Sequence, residues 1–137
     1  MKLNREEKLG KIKEIILEKV KVSAIILFGS YARNKERSDS DIDIAIRPKI
    51  VLDKFELINL QNELEESVNI DIHLINLNTI EEDFRYDILM TGKELYVENQ
   101  VEFIEYKLKA FNEYLELSED RKIIIDKIKK GGTLYGK

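Results

Sequence analysis

The chain has 137 residues, enough for one domain with a real core, and 43% of them are apolar against 36% charged. It has no cysteine, which excludes disulfides and thiolate metal sites. The formal net charge of −4 argues against a broad nucleic-acid-binding face, so any polyphosphate has to be held locally, by metal, backbone and a few basic side chains.

Residues 3–20 are predicted as an amphipathic helix, with Leu9, Ile12, Ile16 and Val20 near helical spacing among Lys and Glu. Val22-Ser-Ala-Ile-Ile-Leu-Phe28 is a short apolar run ended by a Gly-Ser turn and reads as a buried strand. Residues 29–40 form a polar connection that opens with a helical turn. Asp41-Ile-Asp-Ile-Ala-Ile46 alternates strictly, and Pro48 closes that strand. A helix is expected over 52–67 and a third strand over Asn69-Ile-Asp-Ile-His-Leu-Ile75. Thr79 with Glu82 has the spacing of a capping box for a helix that ends before Gly92. Lys93 to Val97 reads as a short strand, and residues 100 to 130 as mainly helical. This alternation describes an α/β domain. No apolar run is long enough to span a bilayer, and the first residues hold no signal-like stretch, so a cytoplasmic protein without membrane association is expected.

The chemistry is concentrated between residues 28 and 44. Gly29 allows close approach of the backbone to a ligand, and free N–H groups at a helix start favour an anion. The Ser30 hydroxyl adds a donor, so this turn suits a terminal phosphate. Ten residues separate Ser30 from Asp41. Asp41 and Asp43 are two apart on a strand and share one face, with Ile42, Ile44 and Ile46 on the other. Paired carboxylates repel unless a cation neutralises them, and Mg²⁺ prefers such hard oxygens. Asp71 is expected on the same face as Asn69 and His73, opposite Ile70, Ile72 and Leu74. If the two strands are neighbours, Asp41, Asp43 and Asp71 form a cluster able to hold two metals roughly 4 Å apart. Arg33 lies one helical turn from Ser30 and is a candidate triphosphate contact. Lys35 and Arg37 read as loop charges, His73 as a supporting group behind the ligands, and Tyr31 as a packing residue.

These positions, Gly29-Ser30, then Asp41-x-Asp43, then Asp71 on a later strand, resemble the minimal nucleotidyltransferase (MNT) family of the polymerase-β-like superfamily. The resemblance covers about residues 1 to 98. It implies a mixed sheet flanked by helices, two Mg²⁺ ions, ATP as substrate, and transfer of a nucleoside monophosphate as pyrophosphate leaves. Many family members carry Gly where this chain has Asn34. Asn also tolerates a left-handed backbone, so the turn is expected to survive.

The segment Met90-Thr-Gly-Lys-Glu-Leu-Tyr96 and the helical tail resemble the antitoxin members of type VII HEPN/MNT toxin–antitoxin modules. That resemblance implies transfer of AMP to a tyrosine of a HEPN ribonuclease partner. Independently, Val101, Ile104, Leu108, Phe111 and Leu115 form a stripe at helical spacing, and Ile123, Ile124, Ile125 and Ile128 a second apolar cluster. Residues 99–137 are therefore expected to be an extension that packs on the domain or docks a partner helix. A module that neutralises its partner by occlusion alone, or an enzyme that nucleotidylates a small hydroxylated molecule, are the alternatives.

Overall fold

The computed structural model describes residues 3–37 and 39–117. In chain order it runs α1 (Arg5–Lys19), β1 (Val22–Phe28), α2 (Gly29–Ala32), β2 (Ile42–Pro48), α3 (Lys54–Val68), β3 (Ile72–Asn76), α4 (Glu82–Thr91), β4 (Lys93–Val97) and α5 (Gln100–Leu117). The strands form one mixed sheet in the order β3-β2-β1-β4. β1 is antiparallel to both β2 and β4, while β2 and β3 run parallel, joined through α3.

Strand alternation divides the core in two. Val22, Ile25, Leu27, Ile42, Ile44, Ile46, Ile72 and Leu74 meet Ile12 and Ile16 of α1 and Leu60, Leu64 and Val68 of α3. Ala24, Ile26 and Ala45 point the other way, into Ile88 and Leu89 of α4 and Phe103 and Ala110 of α5. The prediction that Ile42, Ile44 and Ile46 share the face opposite the aspartates holds, and all three are fully buried.

Local chemistry fixes the ends of α1 and α3. Asn4 and Glu7 form a reciprocal capping box, and Asp53 and Glu56 another. Leu52 before the Asp53 cap and Leu57 beyond it both pack into the core, as a hydrophobic staple does. α3 also shields the outer edge of β3, because the Ile72 and Leu74 N–H groups donate to Glu65 Oε2 at 2.9 Å and Gln61 Oε1 at 3.0 Å. An edge strand whose outward donors are already taken is a poor template for another chain.

Several expectations are corrected. The strand expected over 69–75 starts at Ile72, because Asn69 caps α3 in the left-handed conformation, φ 55°. Asn69 therefore does not share a strand face with Asp71. The Thr79–Glu82 capping box does not form. α4 begins after Glu81 with no side-chain cap, and the Thr79 hydroxyl instead donates to the Asn76 carbonyl at 3.2 Å. β2 begins at Ile42 rather than Asp41 and closes at Pro48, as expected; Pro48 pairs with Val22, and the next donor across the pair is the Lys49 N–H, to the Lys21 carbonyl at 2.8 Å. Helix from 100 is observed to Leu117, and Ile123, Ile124, Ile125 and Ile128 lie outside the described residues. Among the described residues no helix is long and apolar enough to cross a membrane.

Candidate active site

Strand register gathers the predicted residues at one end of the sheet. Phe28, the last residue of β1, pairs with Asp43, and Asp43 pairs in turn with His73 on β3. One step earlier on both strands, Ile42 pairs with Ile72, and the Ile42 N–H donates to the Asp71 carbonyl at 3.0 Å. Asp41 and Asp71 thus immediately precede paired strand residues. Both side chains are exposed, and Asp43 is half-buried.

Gly29 presses directly against this point. Its φ is +72°, and a Cβ built there would lie 2.1 Å from Asp43 Oδ2. Only glycine allows both the left-handed backbone and that approach. Ser30 follows inside the single turn of α2, whose opening N–H groups have no intrahelical acceptor. The turn is closed by Asn34 at φ 54°, which lets the Lys35 N–H reach the Ser30 carbonyl at 2.9 Å. The expectation that asparagine preserves this left-handed turn is met. Tyr31 is buried, as expected of a packing residue, and burial is the first cause pushing its pKa up. Arg5 lies over its ring, donates to its carbonyl and pairs with Glu36 at 3.3 Å, tying α1 to the loop after α2.

The Asp43 pKa is raised, chiefly by burial and also by neighbouring Asp41, while His73 and then Arg33 pull it down. His73 Nδ1 sits 3.4 Å from Asp43 Oδ1, with its side chain 58% exposed. It supports that carboxylate while remaining largely open to solvent. Arg33 is exposed at the end of α2 and faces the same carboxylate, whereas Lys35 and Arg37 are exposed loop residues with no such influence among the causes of the Asp43 shift. Among the described residues no three acidic or histidine side chains enclose a metal by themselves. The donor set still fits Mg²⁺, which takes one or two carboxylates and completes its shell with phosphate oxygens and water.

Two features escaped sequence reasoning. Phe84, at the start of α4, meets Phe28 edge-on at 5.9 Å between ring centroids. Arg47, on the same face of β2 as Asp43, lies 3.8 Å over the Tyr106 ring and pairs with Glu102 at 2.6 Å, anchoring α5 to the sheet. Both are contacts between distant parts of the chain that no local pattern announces.

A family model described as polymerase beta, nucleotidyltransferase, matches residues 10–101. Protein adenylyltransferase MntA of Shewanella oneidensis is 29% identical over 108 residues, which span 79% of this chain and 77% of that protein. A Methanocaldococcus jannaschii relative, provisionally named a protein adenylyltransferase, is 43% identical over 75 residues, spanning 55% of this chain and 76% of its own length. Among solved structures, a toxin–antitoxin complex with AMP-PNP contains a similar chain, with TM-score 0.78, 27% identity, and coverage of 88% of this chain and 97% of that one. Another is the tri-AMPylated Shewanella oneidensis HEPN toxin in complex with MNT antitoxin, at TM-score 0.74, 25% identity, and coverage of 91% and 98%.

Proposed function

The chain belongs to the polymerase beta nucleotidyltransferase family and is an MNT-type nucleotidyltransferase, and from that premise we propose that it transfers AMP from ATP to a tyrosine of a HEPN-type toxin protein, acting as that toxin's antitoxin. The observation that carries the reading is the contact of Gly29 with Asp43, which sets a glycine turn directly against a half-buried carboxylate whose pKa burial and Asp41 raise. The choice of AMP and of a toxin partner is supported by the activity named for the Shewanella oneidensis relative and by the tri-AMPylated toxin in the similar complex.

In this reading Gly29 and Ser30 hold the terminal phosphates by backbone N–H and hydroxyl, and Arg33 steadies them. Asp41, Asp43 and Asp71 would hold two Mg²⁺ ions. Bound there, Mg²⁺ neutralises the triphosphate and eases loss of a proton from an incoming hydroxyl. The tyrosine oxygen attacks the α-phosphorus, a P–O bond to tyrosine forms, the α–β bridge breaks, and pyrophosphate departs. Asp71, exposed one residue before β3, would serve the acceptor side. A phenol with pKa near 10 is a poor nucleophile at neutral pH, so this help is needed. Residues 1–98 would be the catalytic unit, and 99–137 an extension that packs on it through Phe103 and Ala110 of α5 and also docks the partner. Exposed Val101, Ile104, Leu108 and Phe111 on α5 support that division.

Intact-mass spectrometry of the partner after incubation with the chain, ATP and Mg²⁺ tests the reading. The partner gains one AMP or a multiple of it, localised to tyrosine by peptide mapping. A partner that is inhibited yet unmodified would overturn the transfer reading and favour occlusion by the exposed α5 stripe. Modification of a small hydroxylated acceptor but not of the partner would move the activity to that class.

A further inference from the structure

Beside the phosphate turn stands an aromatic surface that the chemistry above does not use. Phe28 immediately precedes Gly29 and pairs in register with Asp43, so its ring stands on the same sheet face as that carboxylate. That face is the one covered by α4 and α5, where Phe28 packs against the second core cluster. Phe84, in the first turn of α4, closes on it edge-to-face at 5.9 Å and remains 37% exposed. The result is a partly exposed ring backed by a second ring whose own residue adjoins the Gly29–Ser30 turn. It suits a flat, uncharged, aromatic ligand joined to phosphate.

We infer that Phe84, held by Phe28, is the stacking platform for the nucleobase of the bound nucleotide. The inference rests on the placement of the triphosphate at Gly29 and Ser30. It explains how a chain of net charge −4 gains affinity for a tetra-anionic substrate beyond what metal and a few donors supply. Phe84 is a positioning residue here. It touches the base and leaves phosphate contacts to the turn, so its loss affects only ligands that carry a base.

The test is calorimetric titration, in Mg²⁺, with AMP-PNP and separately with inorganic tripolyphosphate. Phe84→Ala and Phe84→Leu should each weaken AMP-PNP binding by about tenfold or more while leaving tripolyphosphate unchanged, and Phe84→Tyr should restore it. The leucine variant keeps the apolar contact with Phe28 and so separates stacking from packing. Equal loss of both probes, or no loss of AMP-PNP, would make the ring a packing group and overturn the inference. Wild-type protein that binds tripolyphosphate as tightly as AMP-PNP would also overturn it. Wild-type protein that binds neither probe would instead strike the triphosphate site itself.

Discussion

The two faces of the sheet are built to different standards. On the face covered by α1 and α3, the strands present Ile, Leu and Val, and both helices begin with complete capping boxes. Even the edge of β3 is shielded there by α3 side chains. On the face covered by α4 and α5, β2 presents Asp43, Ala45 and Arg47, and α4 starts without a side-chain cap. Among the described residues the Tyr106 hydroxyl is buried there without a hydrogen-bond partner, and burial pushes its pKa up; the other such atom, Glu36 Oε1, lies beside Arg5 of α1. Unsatisfied polar groups and crowded carboxylates cost stability and persist where something else depends on them. One face carries the capped helices and the larger apolar core, and the other carries the half-buried carboxylate.

That contrast can be broken by mutation. The largest expected effect is on the site face: Gly29→Ala drives a methyl into Asp43 and forces a disfavoured φ, so transfer should fall at least about a hundredfold, as a displacement on the ångström scale does. A pyrophosphate-release assay reads it, and unimpaired turnover would refute the close contact. On the closed face, Leu64→Ala opens a cavity at a fully buried position and should cost about 2–5 kcal/mol in a denaturant melt, with activity per folded molecule preserved. The smallest difference compares helix starts. Asp53→Ala should cost about 1 kcal/mol because it removes a cap, whereas Glu81→Ala should stay within about 0.5 kcal/mol because none exists there. Equal losses would show that the two faces are capped alike.

Much of this was legible in the sequence, for reasons that are local. Gly29-Ser30 ends an apolar run, Asp41 and Asp43 alternate with isoleucines, and Asn34 is among the few residues that tolerate a left-handed turn. Each signal needs only its neighbours. The start of β3 is not legible because Asn69-Ile-Asp-Ile alternates straight through a helix cap and a turn. Nothing in a period of two distinguishes a strand from the two residues leading into it. The supposed Thr79 cap failed because the stretch before α4 is held otherwise: Arg85 Nε and Nη2 donate to the Leu77 and Ile80 carbonyls at 2.8 and 2.9 Å. The contacts His73–Asp43, Phe28–Phe84 and Arg47–Tyr106 depend on which strands and helices are neighbours, information that one sequence does not contain.

The central claim, that a carboxylate pair is maintained for chemistry against the interest of the fold, is tested most directly by converting Asp41 and Asp43 together to Asn. Burial and Asp41 hold the Asp43 pKa above its ordinary 3.8, so the folded state prefers the protonated form. Its ionisation therefore lowers stability as pH rises from the ordinary carboxylate range through the raised value, and the full cost is present at neutral pH. The double variant, melted in EDTA, should match or exceed the wild-type melting temperature at neutral pH, and its advantage should shrink as pH falls toward the carboxylate range. The same preparation, given ATP, Mg²⁺ and partner, should release no pyrophosphate. A folded double variant that still releases pyrophosphate at the wild-type rate would contradict the account.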